Sequence, residues 1–318
     1  MRRILIITPC SDRKNGFTPD NMRASTLTAG TIGQVAAEWL ERLRGCSATK
    51  KRAIEVYAGR SFHELRKAQS TVSADLAIIS AGLGIVHGSQ KIPNYGITVS
   101  KRASDTVFKK ISNLNTTATE WWESLKQADA AHYDFNKIQF DDYDLVLLIL
   151  SKNYAEMVRK DLERVSEQAI AKMRIFGVGI KSYLPETLYS NLLAYDQRLN
   201  GPDFDNKGTM ADLSARCVLD FCKCISENKN LGVDLKTDRA FVEHRLVNLR
   251  YPEVFSRQVL TDDEVKDFIL QNLETTKGRV SPSLRLLRDC GYACEQSRFS
   301  KLFACVRENS QIQGEFKL

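Results

Sequence analysis

What this 318-residue sequence lacks narrows it before any motif is read. It has no apolar run long enough to cross a bilayer; the longest, Ile4–Ile7 and Leu145–Leu150, have the length of buried strands. Met1-Arg2-Arg3 followed by Ile4-Leu5-Ile6-Ile7 resembles a leader only superficially. Its apolar part is too short, and Pro9-Cys10-Ser11-Asp12-Arg13-Lys14 follows where small residues would mark a cleavage site. An intracellular, cytoplasmic protein is therefore expected. Proline (7) and glycine (17) are too few for a fibrous or low-complexity chain. Eight cysteines are present, but none forms a Cys-x-x-Cys pair, and none of the four histidines lies near them at ligand spacing. A structural zinc site and a disulfide framework are thereby disfavoured, leaving reduced and mostly buried thiols.

What remains is an ordinary globular composition, 43% hydrophobic and 27% charged, with the charge unevenly placed. Residues 1–115 carry 18 Lys and Arg against 8 Asp and Glu, whereas the rest of the chain is slightly acidic. A basic first third suits a polyanionic partner such as nucleic acid or a nucleotide phosphate.

Strand-like and helix-like segments alternate along most of the chain. Apolar runs predict strands at 3–7, 54–57, 76–80, 145–150 and 175–179. Ile32, Val35, Ala36, Leu40 and Leu43 lie on one helical face stopped by Gly45. Ser61 and Glu64 have the spacing of a capping box, residues 105–135 read as helical, and 81–88 as a loop. Alternation of this kind predicts an α/β fold with a mainly parallel sheet, whose ligands bind outside the carboxyl ends of the strands. From Leu260 on no strand pattern appears. Thr261 to Glu264 is a capping box, and three short helices follow, a helical module of possible helix-turn-helix type with Arg279, Arg285, Arg288, Arg298 and Lys301 as its exposed candidates. The division expected is 1–235 for the α/β domain and 236–318 for the helical module, with the linker near Glu227–Asp238 and residues 236–252 assignable to either side.

Three motifs fall on the expected rim. Cys10-Ser11-Asp12-Arg13-Lys14 offers a thiol, a hydroxyl, a carboxylate and two cations. There Asp12 can stabilise a cationic sugar-like transition state, while Arg13 and Lys14 can hold phosphate. Tyr57-Ala58-Gly59-Arg60-Ser61-Phe62-His63 combines a close-approach glycine with a cation at a helix start. Ser80-Ala81-Gly82-Leu83-Gly84 leads to His87, a candidate acid, base or electrostatic stabiliser. Its glycines require a ligand or a tight turn, and match neither Gly-x-Gly-x-x-Gly nor a P-loop. Asn94 and Tyr95 follow as a base-edge contact and a stacking ring. Asp196 and Asp212 are candidates for a second carboxylate, Asp212 alternatively supporting a helix over 211–225.

Cys10-Ser11-x-x-Lys14, Tyr57-x-Gly59, Ser80-Ala81-Gly82-Leu83-Gly84 and Ile92-Pro93-x-Tyr95, spread over roughly the first half of the chain, resemble a divergent prokaryotic branch of the uracil-DNA-glycosylase-like superfamily. Its relatives include domains of archaeosine-synthesis proteins and anti-phage DNA glycosylases. The resemblance implies a three-layer α/β/α domain that handles a modified nucleobase, without metal or cofactor, on a rim carrying Cys10, Ser11, Asp12, Lys14, Tyr57, Gly59, Ser80, Gly84 and Tyr95. The uracil-excising signatures Gly-Gln-Asp-Pro-Tyr and His-Pro-Ser are both missing, which argues against uracil as the base. The leading expectation is a DNA glycosylase excising a modified base, with Asp12 and His87 catalytic and Cys10, Ser11, Arg13, Lys14, Tyr57, Gly59, Arg60, Ser80, Gly82, Gly84, Asn94 and Tyr95 binding substrate. A base-exchange or base-modifying enzyme using Cys10 as nucleophile, and a non-catalytic nucleic-acid sensor, stand as alternatives.

Overall fold

The computed structural model describes residues 2–253 and 256–315, with side chains through residue 308. Residues Met1–Pro252 and Glu253–Leu318 form two compact units.

The first unit is built on a five-stranded sheet: β1 (Ile4–Pro9), β2 (Asp75–Ser80), β3 (Gly84–His87), β4 (Leu145–Ile149) and β5 (Met173–Phe176). Its spatial order is β3-β2-β1-β4-β5. β1 lies parallel to both β2 and β4, β4 parallel to β5, and only β3 runs antiparallel. The fold is thus α/β with a mixed, mostly parallel sheet. All five residues of β4 are buried, as a central strand covered on both faces requires. Helix Ile32–Arg44 begins with a Thr31/Gln34 capping box and buries Val35, Ala36, Trp39 and Leu40. Helices Arg60–Val72 and Leu213–Glu227 pack against each other.

Several sequence expectations need correction. Ile54–Tyr57 is not a strand: Ala53–Val56 forms a helical turn, and Tyr57 makes an isolated antiparallel bridge to Lys14. Ala53 N–H bonds to the Gln90 carbonyl and Ile54 N–H to that of Gly88, so tertiary contacts override the β-propensity of this run. Residues 81–88 are not simply a loop, since β3 folds back on β2 and pairs Ser80 with Gly84. Within 105–135 the α-helix covers only Ala118–Ala128, opened by a Thr117/Glu120 capping box after the polar stretch Ser112–Thr116. The Ser61 box does not form: Gly59 occupies the cap, and the Ser61 hydroxyl donates to the Ala211 carbonyl instead.

The unit boundary lies at 252/253 rather than 235/236. Helix Leu235–Val247 belongs to the first unit, burying Val242 and Leu246 in its core. Arg174 of β5 pairs with Asp238 of that helix at 2.5 Å, both fully buried, and Arg245 bridges to Asp220. The second unit holds helices Asp262–Gln271, Val280–Asp289 and Gln296–Glu315 around Val265, Ile269, Leu287, Phe299 and Phe303. It also contains a strand pair absent from the expectation, Gln258–Val259 parallel to Tyr292–Ala293. Two of its five candidate cations are committed internally: Arg298 binds Asp262 and the Leu260 carbonyl, and Arg288 the Cys294 carbonyl.

Candidate active site at the strand carboxyl ends

β1 delivers Cys10 to the carboxyl edge of the sheet, where its N–H bonds to the Ile79 carbonyl of β2. The loop that follows is pinned at both sides. Ala58 N–H bonds to the Arg13 carbonyl, Asn15 N–H to that of Val56, and the Ser11 hydroxyl donates to the Arg13 carbonyl. Asn94 donates its amide to the carbonyls of Asn15 and Phe17. Its expected role as a base-edge reader gives way to that of a loop clamp.

Beneath the loop lies a buried chain of hydroxyls. Ser80 Oγ accepts from the Gly82 and Leu83 N–H groups and is 2.6 Å from Tyr95 Oη; Tyr95 Oη is 2.7 Å from Tyr57 Oη. With both Ser80 lone pairs occupied, its proton goes to Tyr95, and in the Tyr95–Tyr57 contact either hydroxyl can donate. On the other side, Cys10 Sγ is 3.0 Å from Tyr154 Oη. Burial drives the Tyr57, Tyr95 and Tyr154 hydroxyls well above the ordinary tyrosine value, and charge at Cys10 raises them further. All three are therefore neutral donors, not bases.

Lys14 covers this floor. Its Nζ lies 4.3 Å above the Tyr95 ring and 5.7 Å from that of Tyr57, and donates to the Ser11 carbonyl at 3.1 Å. No carboxylate pairs with it among the described residues. Burial lowers its pKa from the ordinary 10.5, a shift that Cys10, Asp12 and Asp105 oppose and Arg23 reinforces. Tyr57 and Tyr95, expected as open pocket walls, are instead fully buried supports for the amine.

The glycine turn serves packing. The Gly82 carbonyl accepts from Trp39 Nε1 and Tyr133 Oη, and the Ala81 carbonyl from Trp121 Nε1. A side chain on Gly82 would overlap Ile97, and one on Gly84 (φ +76°) the His132 carbonyl. Gly59, at φ +92°, keeps its missing side chain against Arg13, where the loop and the helix start approach each other.

Not every expected residue joins the cluster. Asp12 and Arg13 are exposed on the loop. His87 pairs with Ala77, about 10 Å of strand back from the rim residue Ser80, with Nδ1 2.8 Å from Ser89 Oγ. It lines a separate cavity of about 350 Å³ with Leu5, Ile85 and Tyr143, so Asp12 and His87 do not share a site. Arg60 forms an ion pair with Asp212 at 2.8 Å and bonds to the Lys207 carbonyl. Asp212 also accepts from Thr209 and pairs with Arg216, and Asp196 with Arg198, so neither supplies a second carboxylate to the rim.

Three residues escaped the sequence reading. Tyr154 lies in the first turn of the helix Lys152–Met157, and a tyrosine so soon after a buried strand was the available signal. Lys101 and Arg102 line a cavity of about 260 Å³ with Ser100, Asn153 and Glu156, bordering the helix that carries Tyr154. Nothing in their local sequence pointed to this placement. No metal-binding cluster of His, Cys, Asp or Glu occurs among the described residues, and no described helix is long and apolar enough to cross a membrane. No known family model matches the chain, and no curated protein or solved structure is significantly similar to it.

Proposed function

We propose that the chain is a DNA glycosylase that excises a modified base other than uracil, on a three-layer α/β/α domain, with the C-terminal unit as a helix-turn-helix-like module. Anti-phage defence in the cytoplasm is the setting that the motif resemblance suggests. The observation that carries the reading is the cluster of Cys10, Lys14, Tyr57 and Tyr154 at the carboxyl ends of parallel strands, where α/β sheets bind ligands. The exposed cation Arg13 on the loop after β1 suits the phosphate of a nucleic-acid strand.

N-glycosidic cleavage develops positive charge on the sugar and negative charge on the departing base. Exposed Asp12 is the carboxylate suited to the sugar. The role at the base, expected for His87, is not filled from that position, because His87 lies about 10 Å of strand back from the rim. Incubation with DNA carrying assorted modified bases should release free base and leave alkali-sensitive sites. Asp12→Asn should slow release by about 100-fold, the scale of a lost transition-state charge contact. If no base is released from any of these DNAs, the proposal fails.

The Cys10 thiol beside Tyr154 favours a second reading, base exchange on tRNA or a nucleoside through a Cys10 covalent intermediate. Cys10→Ala separates the two: exchange would be abolished, whereas hydrolytic base release would survive.

A further inference from the structure

We propose that Lys14 acts as an amine nucleophile that forms an imine with the C1′ aldehyde of the abasic sugar left in DNA; this rests on the glycosylase reading above. A lysine that merely neutralises phosphate would extend into solvent, like Arg13 on the same loop. Lys14 instead folds back over two buried aromatic rings. Its amine donates to the Ser11 carbonyl, and no acidic side chain forms an ion pair with it among the described residues. A half-buried ammonium with no carboxylate at ion-pair distance gives up its proton more readily than an exposed one, and the free amine is the form that attacks carbonyl carbon. The lowered Lys14 pKa, caused first by burial, agrees with this geometry. The aromatic floor also limits the directions in which Nζ can point, so the amine is held in place rather than searching on a free four-carbon stem.

The step balances without an oxidant or cofactor. The neutral amine adds to the C1′ carbonyl, forming a C–N bond while the π electrons move to oxygen. Transfer of a proton from nitrogen to that oxygen gives a carbinolamine. Loss of the hydroxyl with a further proton, as water, leaves the C=N bond.

The test uses the whole chain and an oligodeoxynucleotide carrying one preformed abasic site, so it does not depend on knowing the base. Sodium borohydride, added during incubation, reduces the imine to a stable secondary amine. A covalent protein–DNA complex should appear on a denaturing gel, fall by about tenfold or more in Lys14→Arg, and map to Lys14 by peptide mass analysis of the wild-type chain. The mapping keeps the test valid even if the variant folds poorly. Absence of a complex, or an adduct spread over other lysines, would overturn the inference. Base release without trapping would refute the lysine role and leave the glycosylase reading standing; trapping at Lys14 without base release from any modified DNA would do the reverse.

Discussion

Replacing Asp238 with alanine strikes the joint that assigns helix Leu235–Val247 to the first unit. The Asp238 side chain is fully buried, binds Arg174 Nε at 2.5 Å through Oδ2, and accepts the Gly232 N–H at 2.7 Å through Oδ1. Arg174 is equally buried, and its remaining bonds, to the Ala171 and Met173 carbonyls, do not neutralise it. Asp238→Ala therefore strands a buried guanidinium, at a cost of about 3–5 kcal/mol, and an unsatisfied N–H that brings the loss toward the upper end of that range. For a unit of this size, each kcal/mol lowers the melting temperature by about 2–4 °C, so a drop of about 10 °C or more is expected. Differential scanning calorimetry of the full chain is the appropriate assay, because the transition of the first unit should move while that of the second stays. The double variant Arg174→Met/Asp238→Leu should recover most of the loss, since no unpaired charge then remains. A loss below about 1 kcal/mol for Asp238→Ala would refute both the buried pair and the 252/253 boundary argued from it.

Three other perturbations test the site and its supports. Gly84→Ala combines a positive φ with a steric overlap on the His132 carbonyl, so it should destabilise by about 2 kcal/mol or more in urea unfolding; a neutral result would mean that the turn is not built as described. Iodoacetamide at pH 8 should label exposed Cys290 and Cys305 first. Cys217, Cys222 and Cys224 should stay protected until unfolding, because burial pushes their thiols up, Cys222 to about 12 and Cys224 to about 11; early labelling of these three by mass spectrometry would contradict the packing of helix Leu213–Glu227. Lys14→Met should stabilise the chain near neutrality. The folded state holds the Lys14 proton less tightly than the unfolded chain does, so its charged form costs stability below the folded pKa, and the cost vanishes as pH rises past the ordinary 10.5. The stability gap between variant and wild type should accordingly narrow between pH 7 and pH 10, and a gap that widens would show the amine is not desolvated.

The apolar runs at Ile4–Ile7, Leu76–Ser80 and Leu145–Leu150 are too continuous for an exposed face and too short for a membrane, so buried strands were legible from them directly. The Thr261/Glu264 capping box was legible for the same kind of reason, since both partners lie within one turn and need nothing from the rest of the chain. The rim residues Cys10, Lys14, Tyr57, Ser80 and Tyr95 were nameable because a parallel sheet exposes its carboxyl-end loops together. Which of them touch was not, because hydroxyl-to-hydroxyl order depends on side chains up to 38 residues apart in the sequence. Ile54–Tyr57 has strand propensity and becomes a helical turn because its backbone groups meet Gly88 and Gln90. His87 carries the residue type of a catalytic group, yet the antiparallel return of β3 takes it away from the rim.

By itself, then, the sequence determined the buried strands β1, β2 and β4 and helix starts such as the one capped by Thr261 and Glu264, since periodicity and capping are local properties. Only the tertiary structure decided that Lys14 lies over Tyr95 with no ion-pair partner among the described residues, that Asn94 and Arg60 are spent on structure, and that helix Leu235–Val247 closes the first unit. Those outcomes depend on burial and on partners distant along the chain, which no local pattern encodes.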